Sequence, residues 1–208
     1  MKPVNIFVRL RNDMDYRGDI YYIQKVYQGD RNAYSFLVDR HKDRAYNLAL
    51  RISGNREDAE EITQDAFLKA FRSLGSFKMK SAFATWVYRI VYNTAISFVR
   101  ARKKGVLSIE DFPADALDFI GFSSNIREAE NDYRSSLVNF ALQKIEAEER
   151  ALITLYYYEE MSTDKISEVT GISRSNVKVR LFRARQKMIR IICKVEHKNI
   201  VYDEQAGS

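Results

Sequence analysis

Two tracts of the sequence carry cationic side chains with no acidic neighbour, which is the chemistry of contact with a polyanion. The first runs from Ala66 to Ile109 and the second from Arg174 to Lys194. In the first tract, Lys and Arg residues are interleaved with aromatic residues. Cations suit a phosphate backbone and flat rings suit unstacked bases, so this tract is typical of single-stranded nucleic-acid binding.

The aromatic residues of the first tract have two possible uses. Some fall on one face of a predicted helix and are expected to be core, because apolar side chains at helical spacing pack inward. Trp86, Tyr88 and Tyr92 spread around the remaining circumference and could meet a ligand, with Trp86 open to either role. The expected core face is Phe83, Val87, Ile90, Val91, Thr94 and Phe98.

The second tract follows a short helical segment and a turn at Gly171, an order that predicts a helix-turn-helix. Such a motif places the start of its second helix against base edges in the major groove. Its small core is predicted to be Ile166, Val169, Ile172, Val177 and Leu181. The residues predicted to contact duplex DNA are Arg174, Ser175, Lys178, Val179, Phe182 and Arg183. The later cations, Arg185, Lys187, Arg190 and Lys194, are predicted to be solvated, with some phosphate contact.

An acidic helix face precedes the first tract. Asn55 is predicted to cap a helix over residues 56–73, with Glu57 and Asp58 favourable near its positive end. Its buried stripe is predicted to be Ala59, Ile62, Ala66, Phe67, Ala70 and Phe71. The opposite face carries Glu57, Glu61, Gln64, Asp65 and Leu68 at helical spacing. An exposed leucine among acids indicates a protein contact, although an ordinary solvated face is the alternative.

Eight glycines and two prolines in 208 residues leave long helical segments between them and predict an all-α protein. Helices are expected near 19–28, 31–53, 56–73, 82–104, 127–145, 147–160, 163–169 and 174–194. Charge divides the chain into residues 1–104 at +9, 105–130 at −5 and 131–208 at +2. We therefore expect an extension over 1–18, a helical domain over 19–104, a flexible acidic linker over 105–130, a helix-turn-helix domain over 131–194 and a tail over 195–208.

The sequence offers little for catalysis, metal binding or membrane insertion. One Cys and two His are too few for a disulfide framework or for most metal sites, so no cofactor is expected. His41 and His197 are predicted to be surface residues, and Cys193 a small hydrophobe. The N-terminal apolar stretch is too short for a signal segment or a membrane span. We expect a cytoplasmic, non-enzymatic protein that is not inserted in a membrane.

Four stretches together resemble the extracytoplasmic-function group of bacterial RNA polymerase sigma factors. Gly29–Leu37 resembles the family's Gly-Asp opening of a long helix, and Asp58–Phe71 its polymerase-binding helix. Phe83–Asn93 resembles its promoter-melting segment, and residues 157–185 resemble its C-terminal helix-turn-helix. The stretches occur in the family's order and cover most of residues 20–190.

The resemblance implies a promoter-specificity subunit that binds core polymerase, recognises minus-10 and minus-35 elements and helps to melt DNA. Its implied partners are the clamp helices of the largest polymerase subunit, the flap of the second-largest subunit, promoter DNA and an anti-sigma factor. Glu61, Gln64, Asp65 and Leu68 would dock on the clamp helices, and the linker would run through the polymerase channel. Residues 76–81 would take up a flipped minus-10 base. The minus-10 and melting residues would be Phe77, Lys78, Lys80, Trp86, Arg89, Asn93, Arg100 and Lys103, and the minus-35 residues are the helix-turn-helix contacts named above.

The chain departs from the family at four places that bear on promoter sequence. Lys165 stands where Glu is common, Ala147 where Pro is common, and Val179 where a small polar residue is common. The loop at Lys78–Lys80 is unusually basic and lacks glycine. Two other functions remain open: a self-sufficient DNA-binding regulator using only the helix-turn-helix, and a nucleic-acid-processing enzyme, against which the missing acid clusters argue.

Overall fold

The computed structural model describes residues 18–105 and 126–206, with side chains described over 18–102 and 133–196. These residues form α-helices joined by turns, without a strand among them, which confirms the predicted all-α class. A 3₁₀ turn lies at Leu74–Ser76 and a π-helical turn at Thr154–Tyr158. The helices are α1 (residues 18–27), α2 (Ala33–Ser53), α3 (Arg56–Ser73), α4 (Phe83–Gly105), α5 (Ile126–Gln143), α6 (Ala147–Ile153), α7 (Thr163–Thr170) and α8 (Arg174–Ala206).

The chain divides into two compact units. Among the described residues, the first comprises 18–98 with 167–171, and the second comprises 99–105, 126–166 and 172–206. The predicted extension over 1–18 lies outside the described residues except for its last position, and so does the linker over 106–125. Helix α5 begins at Ile126, so the last five residues of the expected linker, 126–130, are helical.

Helix α8 is longer than predicted. It continues to Ala206 instead of ending at residue 194, so the expected tail is largely helical. The physical reason is that no glycine or proline occurs between Gly171 and Gly207 to interrupt a helix once it has started.

Residues Gly29 and Asp30 stop α1 and start α2. Gly29 has a φ of 99°, and the backbone N–H groups of Gly29 and Asp30 donate to the carbonyls of Val26 and Lys25. This pattern closes the last turn of a helix and needs a left-handed residue, which glycine supplies without steric cost. The Asp30 carboxylate then accepts the N–H groups of Asn32 and Ala33. The Gly-Asp pair thereby fixes the angle between the two helices.

The core of the first unit lies between α2 and α3. Leu37, Leu48 and Ile52 of α2 and Ile62 of α3 are fully buried. The predicted cap is present, because the Asn55 side chain accepts the Asp58 N–H at 3.0 Å. The sequence therefore predicted both helices and the buried stripe of α3, except for Phe71.

A buried ion pair joins α1 to α2 inside this unit. His41 Nε2 lies 3.0 Å from Asp19 Oδ2, and Arg40 Nη1 lies 3.3 Å from Asp19 Oδ1. Both Asp19 and His41 are buried, so the prediction of a surface His41 is wrong. The His41 position fits the buried stripe of α2 between Leu37 and Ala45, and a partner from α1 makes its burial tolerable.

The second unit contains an interruption that the sequence did not reveal. Helix α6 begins with a reciprocal cap between Glu146 and Glu149, but its α-helical turns end at Ile153 and not at 160. A π-helical turn follows over Thr154–Tyr158, where the Glu159 N–H donates to the Thr154 carbonyl. Such turns accommodate one surplus residue within a helix. Helices α5 and α6 pack against α8.

Replacing Asp19 by Ala should destabilise the first unit. The change leaves buried His41 without its acceptor, at a cost of about 2 kcal/mol or more in the free energy of unfolding. Urea unfolding followed by the fluorescence of Trp86, the single tryptophan, measures this. The matched control is Asp39→Ala, which removes the exposed pair with Lys42 and should destabilise the unit much less, because solvent screens that pair. Equal effects of the two changes would contradict a stabilising role for the buried pair.

Candidate nucleic-acid and partner-protein surfaces

The loop between α3 and α4, residues 77–82, carries the first group of predicted DNA contacts. Lys78 and Lys80 are exposed, as predicted. Phe77 is only 7% exposed and packs against Trp86 at 4.9 Å and Phe83 at 5.9 Å between ring centroids. The Phe77 ring is therefore a core side chain that supports Trp86, and it offers no surface to a base.

The same loop contains a left-handed residue. Met79 has a φ of 53°, a region that side chains with a Cβ adopt rarely. The sequence already stood out here for lacking a glycine. The backbone thus takes a glycine-like turn with methionine, which requires support from neighbouring contacts.

A tyrosine of α1 provides one such support. The Tyr27 hydroxyl lies 2.9 Å from the Leu74 carbonyl and 3.0 Å from the Phe77 carbonyl, and donates to them. Tyr27 is 47% exposed, and the partial burial of its hydroxyl raises the pKa of that group above its usual value. Sequence reasoning missed Tyr27, because nothing in the spacing of α1 links it to a loop fifty residues away.

Helix α4 presents a cationic stripe. Trp86, Arg89, Asn93 and Arg100 recur at i, i+3, i+7 and i+14, which places them on one side of the helix. Arg89, Asn93 and Arg100 are exposed and Trp86 is half-buried, while the side chain of Lys103 lies outside the described part. The arrangement suits a nucleic-acid strand lying along α4.

Two aromatic predictions for α4 are wrong. Tyr88 and Tyr92 are 5% and 9% exposed and belong to the core, so they cannot meet a ligand. The buried side of α4 is wider than the predicted stripe, since Ala95 and Ile96 are also buried while Ile90 and Phe98 are half-buried. When other helices pack against more than one side of a helix, its buried apolar residues cover a wider arc than the single face that the spacing predicts.

The acidic face of α3 is on the surface, as predicted. Glu57, Glu61 and Gln64 are exposed, Asp65 is half-buried and pairs with Lys69 at 2.7 Å, and Leu68 is 55% exposed. Beside this face lies a groove of about 740 Å³ between α2 and α3. Its lining includes Tyr34, Val38, Gln64, Phe67, Leu68 and Phe71.

Phe71 was predicted to be buried and is instead 37% exposed. It lies on the side of α3 between the buried stripe and the acidic face, where its ring packs on Tyr34 at 4.9 Å. The Tyr34 hydroxyl donates to the Phe67 carbonyl at 2.8 Å, and burial raises its pKa. The groove therefore has an apolar, rigid floor next to acidic residues.

The second cationic surface is the start of α8. Val177, Leu181, Ala184 and Met188 are buried, which fixes the rotation of the helix. Of the predicted small core, Ile166, Val169, Val177 and Leu181 are buried and Ile172 is half-buried. All six predicted contacts are exposed on the other side: Arg174, Ser175, Lys178, Val179, Phe182 and Arg183.

The turn before α8 has the expected chemistry. Gly171 has a φ of 74°, and the Ser173 hydroxyl accepts the Asn176 N–H at 3.4 Å. Arg174 also pairs with Asp164 of α7 at 3.2 Å. Together these contacts orient the first turn of α8 and hence the exposed Val179 and Phe182 in the turns that follow.

An apolar groove of about 420 Å³ lies on the second unit. The Arg185 guanidinium sits 5.9 Å from the centre of the Tyr157 ring, so this residue belongs to the groove and not only to solvent. Cys193, predicted to be a small hydrophobe, is exposed. The lining is Val138, Ile153, Tyr157, Tyr158, Arg185, Met188, Ile189 and Ile192.

The described residues also bear on metal binding and membrane insertion. Among these residues no group of three or more His, Cys, Asp and Glu could hold a metal ion. None of the helices described is long and apolar enough to span a membrane.

Comparisons with known proteins point to one family. The model of Sigma-70 region 2 matches residues 37–105, and that of Sigma-70 region 4 matches residues 137–188. The chain is 30% identical to the RNA polymerase sigma-H factor of Pseudomonas aeruginosa, over 79% of the chain and 88% of that protein. It is 32% identical to the ECF RNA polymerase sigma-E factor of Haemophilus influenzae, over 79% of this chain and 89% of that protein.

Solved structures agree on the fold. The structure of CnrH in complex with the cytosolic domain of CnrY has a TM-score of 0.61 at 21% identity and covers 85% of this chain and 98% of that one. The sigma factor RpoE of Bartonella quintana, in complex with the anti-sigma factor NepR, has a TM-score of 0.58 at 22% identity. It covers 76% of this chain and 96% of that one. With both regions matched in order and relatives aligned along most of their length, the chain belongs to the extracytoplasmic-function group of RNA polymerase sigma factors, the promoter-recognising subunits of that enzyme.

Proposed function

We propose that this chain brings core RNA polymerase to promoters by reading a minus-10 element with its first unit and a minus-35 element with its second. The observation that carries the proposal is the presence of two separate exposed cationic surfaces, the α4 stripe with the α3–α4 loop and the start of α8. A regulator working through the helix-turn-helix alone would have no use for the first surface.

In this proposal, the first unit opens the duplex by capturing unpaired bases. Stacking a base on an aromatic ring recovers about 1–3 kcal/mol, which offsets a similar loss of base stacking at each step. Trp86 is the half-buried ring on the stripe, and Arg89 and Asn93 extend it along the strand. Arg100, which pairs with Glu148 at 2.8 Å, continues the stripe along α4 beyond residue 98, where the first unit ends. Lys78 and Lys80 give the loop a positive charge for the backbone of a flipped nucleotide. Phe77 contributes by supporting Trp86 from below.

The acidic face of α3 is the proposed docking site for the clamp helices of the largest polymerase subunit. Leu68 provides an apolar anchor, and the groove beside it accepts an apolar side chain from the partner. Glu61, Gln64 and Asp65 surround this anchor with negative charge and hydrogen-bonding groups, which suits a basic partner surface.

The apolar groove of the second unit is the proposed seat for the flap of the second-largest subunit. Its exposed Tyr157, Tyr158 and Ile189 form an apolar patch of the kind that marks protein contacts. Arg185 on the Tyr157 ring adds a cation at the rim. Binding here would leave the exposed start of α8 available to DNA, because no residue that lines the groove is among the predicted DNA contacts of α8.

An anti-sigma factor is a further proposed partner. Two structural neighbours are held by other proteins, CnrH by the cytosolic domain of CnrY and RpoE of Bartonella quintana by the anti-sigma factor NepR. The exposed apolar surfaces on both units offer this chain comparable places to be held. We also propose that the protein acts in the cytoplasm as a binding factor, with the chemistry supplied by the polymerase.

Adding the chain to core polymerase should create specific initiation. In a run-off transcription assay with a genomic promoter library, we expect defined transcripts that core enzyme alone does not make. The isolated chain should bind the same duplexes weakly. Specific operator binding by residues 131–208 alone, unaffected by polymerase, would instead favour a self-sufficient regulator.

Replacing Leu68 by Arg should weaken binding to core polymerase by roughly tenfold or more, because a charge would have to be buried at an apolar anchor. Equilibrium binding of the labelled protein to core enzyme measures this. The control Asn47→Arg adds the same charge at an exposed position of α2 away from the groove. If Leu68→Arg bound core enzyme as well as the control does, the docking site would lie elsewhere.

Alanine at Lys178, Val179 or Phe182 should change which minus-35 sequences the holoenzyme uses, since a good base contact discriminates by about 1–3 kcal/mol. The control Lys194→Ala, far along α8, should affect only the salt dependence of DNA binding and lower its slope by about one. Sequencing transcripts from a randomised minus-35 library separates the two effects. A uniform loss across all sequences for the first three variants would place them among phosphate contacts.

A further inference from the structure

The α3–α4 loop has a definite shape that its own sequence does not favour. Met79 occupies a left-handed backbone conformation, which is unfavourable for any residue with a Cβ. No glycine occurs between Gly75 and Gly105 to relieve this. The conformation must therefore be maintained by contacts at the ends of the loop.

One end of the loop is fixed at two carbonyl groups. The Phe77 N–H donates to the Leu74 carbonyl at 2.9 Å, closing the 3₁₀ turn. The Tyr27 hydroxyl reaches the same Leu74 carbonyl and also the Phe77 carbonyl, the last backbone acceptor before Lys78. A single O–H group thus ties α1 to the point where the loop begins.

Tyr27 is itself well placed for this task. It lies in the last turn of α1, one residue before Gln28, in the stretch that Gly29 and Asp30 lock by their hydrogen bonds to Val26 and Lys25. The hydroxyl is therefore presented from a rigid helix end. At the other end of the loop, Phe83 is buried against Phe77 and Trp86.

We propose that Tyr27 is a positioning residue for base capture, whose hydroxyl holds the α3–α4 loop in the shape that accepts a flipped minus-10 base. The inference rests on the proposed function of this loop in promoter recognition. Without the hydroxyl, the Phe77 carbonyl loses its link to α1 and the loop samples other conformations. A site that is not organised in advance binds the correct base less well, and the loss falls on discrimination at that base.

The test compares holoenzymes reconstituted from core polymerase and the full chain, either unchanged or with Tyr27→Phe. The probe is a forked DNA that carries the single-stranded minus-10 segment of a promoter found by run-off transcription, with each of the four bases at the captured position. We expect Tyr27→Phe to reduce the ratio of dissociation constants between the preferred and other bases by roughly two- to tenfold, the equivalent of one hydrogen bond. Binding to core enzyme and to a minus-35 duplex should not change.

The matched control is Tyr21→Phe, which removes an exposed hydroxyl from the same helix while keeping its ring. Unfolding followed by Trp86 fluorescence checks that both variants are folded. A Tyr27→Phe protein with the same base discrimination as Tyr21→Phe would overturn the inference. So would a loss that falls equally on core binding, minus-35 binding and base capture, because that pattern describes general destabilisation.

A loop variant separates this inference from the proposed function. Replacing both Lys78 and Lys80 by Ala should weaken binding to the forked DNA. If it does and Tyr27→Phe has no effect on discrimination, the loop contacts DNA but Tyr27 does not position it. If the double variant binds every probe like the unchanged protein, the proposed role of the loop fails and the inference fails with it.

Discussion

The first unit depends on one buried contact, where the rings of Phe77, Phe83 and Trp86 meet beside His41. The His41 ring packs at a tilt against Phe83, with 5.4 Å between centroids, and is held by Asp19, so α1, α2 and the start of α4 converge at this point. Phe77, the first residue of the α3–α4 loop, connects that loop to the same contact. Because interiors pack closely, a shift of any one ring is passed to the others. The half-buried Trp86 at the surface is therefore as fixed as the core beneath it.

This arrangement matters for a protein that works by binding. Strand separation driven by binding free energy requires side chains that are in place before the bases arrive, since ordering them afterwards reduces the gain. The first unit meets this need with a ring supported from below and a loop secured at its beginning. The second unit meets it differently, with the buried row from Val177 to Met188 fixing which residues of α8 point outward.

Much of the fold followed from local patterns in the sequence. The Asn55 cap, the turn at Gly171 and the outward residues of α8 each depend on neighbours within a few positions, so spacing was sufficient to predict them. The errors have another origin. Burial of His41, Tyr88 and Tyr92 depends on which distant helix covers a face, and the exposure of Phe71 depends on where that cover ends. Tyr27 was missed for the same reason, because its partners are about fifty residues away along the chain.

The π-helical turn at Thr154–Tyr158 has a consequence for the surface of the second unit. A turn closed by i→i+5 hydrogen bonds holds more residues than an α-helical turn, so its side chains point in other directions than an uninterrupted α-helix would give them. Tyr157 and Tyr158 lie within this turn, and both line the apolar groove with Ile189. The groove is thus a product of helix register: the same amino acids, wound with one residue fewer in that turn, would present a different face to any partner.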